Sequence, residues 1–537
     1  MRTLFLFFLP VFLIATRASA QYSPYWQWAM ADSFNTYAND APRQVLAAHN
    51  GKAMWGRLQS IKLQMGGAAL GNYALGEYDT AGQLITAASL RGRLTLLDAH
   101  SDGIGNWYLL GAFYDSLQLT NGSIIYRNPA GNDPDHFIMR LDAGTFATSW
   151  MKLVGLSKDA TAGCFTILNN TIYLPVDSGA ETQIQTLNTN SGNGSVLFRQ
   201  GGRSTTVSIA VDAGGNILLA GSCAPGGINF NGVQQAPVSG NSFPAYLVRY
   251  TPTGTHRWHL WLNNMSCTDR MVNVAPGGII YYTGNSDNAF MLGAQQVHAP
   301  IHPYDFIAAR LDTNGTVAWV RQVDTAGGGD ASLGRAHHAV VTPDTALAIF
   351  AETRAYMDWR DNVGTDAGPY YNSVVASFGK DSHTRWANIA KGDYTGNQQI
   401  ATDGSDAVWV TGNGFSSLPY LVFDTMHTPV KPQAYNPYLA KLKLTPRPVL
   451  PNSIATAGAD MGVHIYPNPA INVLRISFTA MPAGAGIVLR DITGQVLVQQ
   501  SVSEREFVVD VQRFARGVYF LEINKAGARR VERIVLR

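Results

Sequence analysis

The chain is poor in cysteine, in charge and in long apolar runs, and each shortage removes a class of protein. Three cysteines in 537 residues, Cys164, Cys223 and Cys267, are an odd number and cannot form a fully paired disulfide framework. With no CxxC and no Cys/His cluster they do not carry zinc-type spacing either. One bridge between Cys223 and Cys267 stays open beside the alternative of isolated buried thiols. Charged residues are 14% of the chain and the formal net charge is +2. No basic run interrupts residues 21–445, so the electrostatic footprint of a nucleic-acid binder is missing.

Carboxylates are scarce where a hydrolase would need them. Between Gln21 and Leu444 the only glutamates are Glu77, Glu181 and Glu352, and aspartates such as Asp212, Asp312 and Asp403 sit in turn contexts, where the side chain caps backbone amides. No HExxH, G-x-S-x-G or EF-hand frame occurs. Residues 188–194 and 312–315 lack the later glutamate of a calcium loop and read as turns. His298 and His302 fall in a variable loop, and His337 and His338 stand side by side without a partner motif. No catalytic residue, metal ligand or cofactor is assigned from these patterns.

What is abundant is glycine, 53 residues, and aromatic side chains, 10% of the chain. They recur on one plan. Residues 211–262 read VDAGGNILLAG, then INFNGVQQAPVSG, then AYLVRYTPTGTHRWHLWL: two β-type runs about a Gly-Gly-Asn turn, a loop, and two more runs about a Pro-Thr-Gly turn. Residues 274–323 repeat the plan with APGGIIYYTG and DTNGTVAWVRQV, so Trp258 and Trp319 are equivalent, and Trp150 and Trp386 join them. Weaker copies bring the count to seven units. Four strands per unit at a spacing of several tens of residues is the signature of a β-propeller. The spacing, 319 − 258 = 61 and 386 − 319 = 67, exceeds the ~40–50 residues of compact repeats, which implies long loops. The last unit lacks a closing tryptophan strand while the N-terminal YWQWAMADSF supplies an orphan one at Trp28. That strand is expected to complete the last blade and close the ring, removing open sheet edges.

The pattern D-x-x-G-N-x-Y-x-x-G, then F-G, then aromatic-x-x-x-[KR]-L-D-x-x-G-x-x-x-W is similar to the bacterial SBBP-type β-propeller repeat over residues 22–444. The resemblance implies a scaffold and no particular chemistry.

The two ends read differently. MRTLFLFFLPVFLIATRASA has Arg2, a short apolar run and a small-residue site, the pattern of a secretory signal peptide cleaved between Ala20 and Gln21. Beyond it no run reaches the ~20 apolar residues of a spanning helix. Residues 446–460 form a Pro/Ala/Gly-rich linker. Residues 461–537 alternate short apolar runs with turns, as in a small Ig-like β-sandwich of six or seven strands. Tyr466, Pro467, Asn468 and Pro469, then Asp491 and Gly494, then Gly517 and Tyr519, resemble the type A C-terminal sorting domain of the type IX secretion system of Bacteroidetes. The resemblance implies those residues are a sorting signal, the secretion machinery is a partner, and the destination is the cell surface or the medium.

The expected architecture is all-β, a seven-bladed propeller over residues 21–445 followed by the sandwich. Its expected role is a non-catalytic binding module for an extracellular protein or glycan. The alternative is a polysaccharide hydrolase or lyase with its site at the propeller axis; a surface-layer spacer is a third reading. The loop aromatics Tyr304, Trp359, Tyr370, Tyr371, Tyr435 and Tyr438 are the candidate ligand contacts, because loops on a rigid ring carry recognition.

Overall fold

The computed structural model describes residues 24–32, 44–65, 68–126, 133–154, 161–236, 244–262, 265–266, 271–300, 305–323, 329–333, 337–444, 462–480, 484–491, 494–525 and 528–536. The leader, the Ala20–Gln21 bond, Cys267, His302, Tyr304 and the 446–460 linker lie outside them. The chain divides into two compact units, residues 1–447 and 448–537.

The first unit is a β-propeller. Its antiparallel sets follow the chain from an inner strand outward, as in Ser204–Val211, Ile217–Cys223, Ala245–Tyr250 and His256–Leu262. Strands such as ILLAG read as continuous apolar runs because both faces are buried. Leu218 and Ala220 enter the core toward the following set, while Ile217, Leu219 and Cys223 enter the core toward the preceding one. One strand, Leu84–Ser101, is 18 residues long and serves two sets. Its first half pairs with Ala68–Tyr78 and its second with Trp107–Gln118, an economy the repeat pattern did not foretell.

One end of the sets carries tight turns, and in four sets the repeat motif locks these to the neighbouring set. Arg140 stands opposite Trp150, Arg249 opposite Trp258, Arg310 opposite Trp319 and Lys441 opposite Trp28. Each indole donates its Nε1–H to a carbonyl in the next set's outer turn: Trp150 to Thr189, Trp258 to Thr313, Trp319 to Lys380 and Trp28 to Thr80, at 2.9–3.1 Å. In three of the four pairs the cation reaches the same carbonyl: Arg249, Arg310 and Lys441. The turn glycine must be bare. At Gly315 φ is +83° and a Cβ would lie 2.9 Å from the Trp258 ring; Gly82 and Gly192 meet Trp28 and Trp150 in the same way. Trp386 stands opposite Ser377, without the cation, and the set it faces has a chain break where its outer turn would be.

That break is closed by the N-terminal strand. Tyr25–Ala31 pairs antiparallel with Tyr435–Lys443. Trp26 is buried edge-on against Phe423, and Trp28 packs edge-on against Trp409 while reaching Thr80 in the first set.

The opposite end of the sets carries the long loops, and these form hairpins: Phe290–Leu292 with Gln295–Val297, Tyr356–Asp358 with Gly364–Asp366, and Tyr420–Phe423 with Met426–Pro429. Each drives an apolar side chain into a core. Trp359 is 3% exposed, packed against Phe306 and Phe378, with its Nε1–H on Thr365. Cys164 and Cys223 are buried thiols of one core. Cys223 is a free thiol, and burial pushes it up to about 11.

The second unit is a two-sheet sandwich. Val463–Tyr466, Val473–Phe478 and Glu506–Asp510 form one sheet; Val496–Val502, Ala485–Arg490, Gly517–Lys525 and Ala528–Leu536 form the other. Leu474, Ile476, Ile487, Leu489, Leu521 and Ile534 fill the space between them.

Candidate functional site

Two places on the propeller gather chemistry-bearing side chains. At the centre, inner strands from all around the unit line a cavity of about 330 Å³. Its wall is mostly Ala, Val, Leu and Ile, interrupted by His100, His337, Asn273, Ser101, Thr166 and Thr402. The His100 and His337 rings lie 6.1 Å apart. Asp98 comes within 3.6 Å of His100 Nε2, yet its oxygens are held by the amides of Ala99 and Phe165. His338 is buried and meets Thr283 Oγ1 at 3.0 Å. Among the described lining residues there is no carboxylate, so none of them supplies the pair of acids that glycoside hydrolysis requires on either side of one bond.

The second place is on the hairpin end, where two adjacent sets meet. Asp330 opens the inner strand of one set, and Arg354 lies opposite it in register at the end of the next strand; Glu352, two residues earlier, shares that face. Tyr371 precedes the third strand. Tyr394, Phe415 and Tyr435 come from the neighbouring set. Phenolic Tyr371 donates to Asp330 Oδ2 at 3.1 Å, the Arg354 guanidinium lies over the Tyr371 ring at 5.3 Å, and Arg354 Nε is 3.7 Å from Asp330 Oδ2. Tyr394 donates to Glu352 at 3.3 Å, and its ring meets that of Tyr435, which also packs on Phe415. Burial, followed by the Asp330 charge, holds the Tyr371 phenol above its ordinary range; burial and then Glu352 do the same to Tyr394. Gly329 is required because the Tyr356 carbonyl would lie 2.3 Å from a Cβ there, so the hairpin strand lies directly against Asp330.

One atom in this cluster is out of balance. Asp330 is 5% exposed, and its Oδ1 is buried without a hydrogen-bond partner. Such a group costs roughly 1–3 kcal/mol unless a donor arrives. Beside it, Tyr370 and Tyr356 are 57% and 55% exposed, unusual for large aromatic rings with no core to fill.

The predicted aromatics thus separate. Tyr370 and Tyr371 stand at this cluster and Tyr435 forms its inner wall. Trp359 is a wedge in the core, and Tyr438 is wholly buried with its hydroxyl on Ser373, so neither is open to a ligand. Trp359 reaches the core because its loop folds back as a hairpin, whereas Tyr438 lies inside the strand Tyr435–Lys443 and not in a loop. Asp330, Glu352, Arg354, Tyr356 and Tyr394 were not singled out. The signal for Asp330 was the run of glycines before it.

In the C-terminal unit the motif residues are turn and edge formers. Tyr466, Pro467, Asn468 and Pro469 are exposed, and the Tyr466–Pro467 and Asn468–Pro469 bonds are cis. The Asn468 side chain donates to the Arg533 carbonyl and accepts from the Val535 amide, tying this turn to the last strand. Asp491 accepts from the Gln495 amide across a turn in which Gly494 has φ +88°. Tyr519 is 7% exposed and donates to the Ala515 carbonyl; Gly517 opens its strand.

Residues 464–537 match the family described as the secretion system C-terminal sorting domain. The C-terminal unit belongs to that family. As a type IX sorting domain it marks the chain as secreted or displayed on the cell surface, and no helix among the described residues is long and apolar enough to cross a membrane. No curated protein matches the chain. Among solved structures it is similar to the Dos1 propeller, at 7% identity over 79% of this chain and 95% of that one, with a TM-score of 0.39. It is also similar to the β-propeller domain of the Trilobed protease from Pyrococcus furiosus, at 7% identity over 75% and 96%, TM-score 0.38. A third is PorZ, a surface component of the type-IX secretion system of Porphyromonas gingivalis, at 11% identity over 94% and 82%, TM-score 0.22.

Proposed function

We propose that the propeller is a non-catalytic recognition module held outside the cell, and that its ligand, an extracellular protein or glycan, docks on the hairpin end around Asp330, Arg354, Tyr356, Tyr370 and Tyr371. The observation that carries this reading is the buried Asp330 oxygen lacking a donor beside exposed aromatic rings. A ligand hydroxyl or N–H satisfies that oxygen, and an apolar ligand face covers the rings. The strands grouped by four support seven blades, and the repeat motif supports an SBBP-type ring. Export begins with the leader ahead of Gln21 and ends with handling of residues 461–537 by the type IX machinery.

The test is a glycan and peptide array probed with the mature protein, run beside a turnover assay on the same polysaccharides. Saturable binding that Asp330→Asn and Tyr370→Ala weaken, without product, supports the module. Cleavage products would replace it with a hydrolase or lyase. For export, removing residues 461–537 should leave a folded propeller retained in the cell envelope, and normal release of that truncation would remove the sorting assignment.

A further inference from the structure

A second site lies on the outer strand His256–Leu262, away from the Asp330 cluster. That strand carries two histidines three residues apart, a spacing that ordinarily puts side chains on opposite faces of a strand. A bulge changes this. Tyr250 pairs with His256 and Arg249 with Trp258, so Arg257 is the extra residue, and His256 and His259 both fall on the side of Tyr250 and Val248. Phe230, buried and donated by a loop hairpin, then stacks on both imidazoles, at 5.6 Å from His256 and 5.0 Å from His259. Trp261 closes on His259 at 5.9 Å. The result is that His256 Nε2 and His259 Nδ1 face each other at 3.2 Å, and both rings remain partly open to solvent.

We propose that His256 and His259 form a two-histidine site for a borderline divalent cation of the Cu2+, Ni2+ or Zn2+ type. With metal–nitrogen bonds of about 2.0–2.1 Å, two nitrogens 3.2 Å apart subtend roughly 100° at the metal. That angle suits both a tetrahedral and a tetragonal centre. Without metal, one ring donates its N–H to the other. Metal binding needs only that the proton of His256 move to its Nδ1, leaving Nε2 and His259 Nδ1 to supply lone pairs. Burial, and for His259 the neighbouring His256, hold both imidazoles below their ordinary range. No third histidine, cysteine or carboxylate joins them among the described residues. The remaining coordination positions fall to water or to a donor from an incoming molecule.

The test is titration of the EDTA-stripped full-length mature protein with Cu2+, followed by calorimetry and by the paramagnetic spectrum of the bound ion. The expected result is one equivalent with two-nitrogen coordination. It should be lost in both His256→Gln and His259→Gln and kept in His298→Gln, while thermal unfolding in EDTA stays unchanged in all three. Equal stoichiometry and an equal spectrum in wild type and in His256→Gln would overturn the site, whether the copper bound elsewhere or nowhere. A variant that melts early in EDTA is replaced by the second histidine variant, which removes the other nitrogen of the same site. Array binding at the Asp330 cluster is an independent readout, so loss of either site leaves the other standing.

Discussion

The two ends of the propeller use the same aromatic alphabet for opposite purposes. At the tight-turn end, Trp28, Trp150, Trp258 and Trp319 each donate to the next set and lie on a bare glycine or a neighbouring ring. Each of these indole N–H groups has a defined partner one set away. At the hairpin end, Tyr356 and Tyr370 are more than half exposed and Asp330 keeps an unpartnered oxygen. The difference teaches that ring closure is concentrated at one end, which leaves the other free to hold groups that stability alone would not retain.

The largest test of this contrast is removal of the closing strand. Deleting residues 21–34 takes away the pairing with Tyr435–Lys443 and the Trp28 contact to Thr80. The cooperative thermal transition of the propeller should collapse; an unchanged melting temperature would show that closure does not depend on this strand. Next in size is the latch itself. Gly315→Val forces a branched side chain into φ +83° and into the Trp258 ring, and should cost about 2–4 kcal/mol in denaturant unfolding. Trp258→Ala, at a half-buried ring, should cost about 2 kcal/mol. Their double mutant should fall short of the sum, because both remove one contact.

A pH-dependent effect of similar size separates the inter-set core from both ends. Burial raises the Asp177 carboxyl to about 6, although Thr182 and Thr206 donate to it. The folded state therefore holds its proton more tightly than the unfolded chain. Stability from this group is fully present below about pH 4 and is lost as pH rises through about 6, a change on the order of 3 kcal/mol. Denaturant midpoints measured from pH 4 to pH 7 should show that limb, and Asp177→Asn should flatten it. The smallest stability effects belong to the hairpin end. Tyr356→Ala and Tyr370→Ala should move stability by less than about 0.5 kcal/mol while weakening array binding; a large loss of stability would make them structural instead.

The repeat was readable because its signals are local. An aspartate that caps two amides, a glycine at positive φ and an apolar run four to eight residues long act within one turn or strand. The same holds for the sorting domain, whose turn residues keep their meaning at any distance from the propeller. The candidate site was half legible. Tyr370, Tyr371 and Tyr435 were named as loop aromatics and do stand at the cluster. Trp359 and Tyr438 shared their signal and went to the core, the first on a loop that folds back as a wedge and the second inside a sheet strand.

What the sequence determined alone was the strand and turn plan, the cation and tryptophan of four repeats, and the sorting unit, all consequences of backbone preference over a few residues. Only the tertiary structure decided that Asp330 and Tyr371 would share a cluster with Tyr394 and Tyr435 across a boundary between sets. It alone decided that a bulge would turn His256 and His259 to one side. The reason is that both depend on register and on which neighbour a set packs against, and those are fixed only when the sheets come together around the axis.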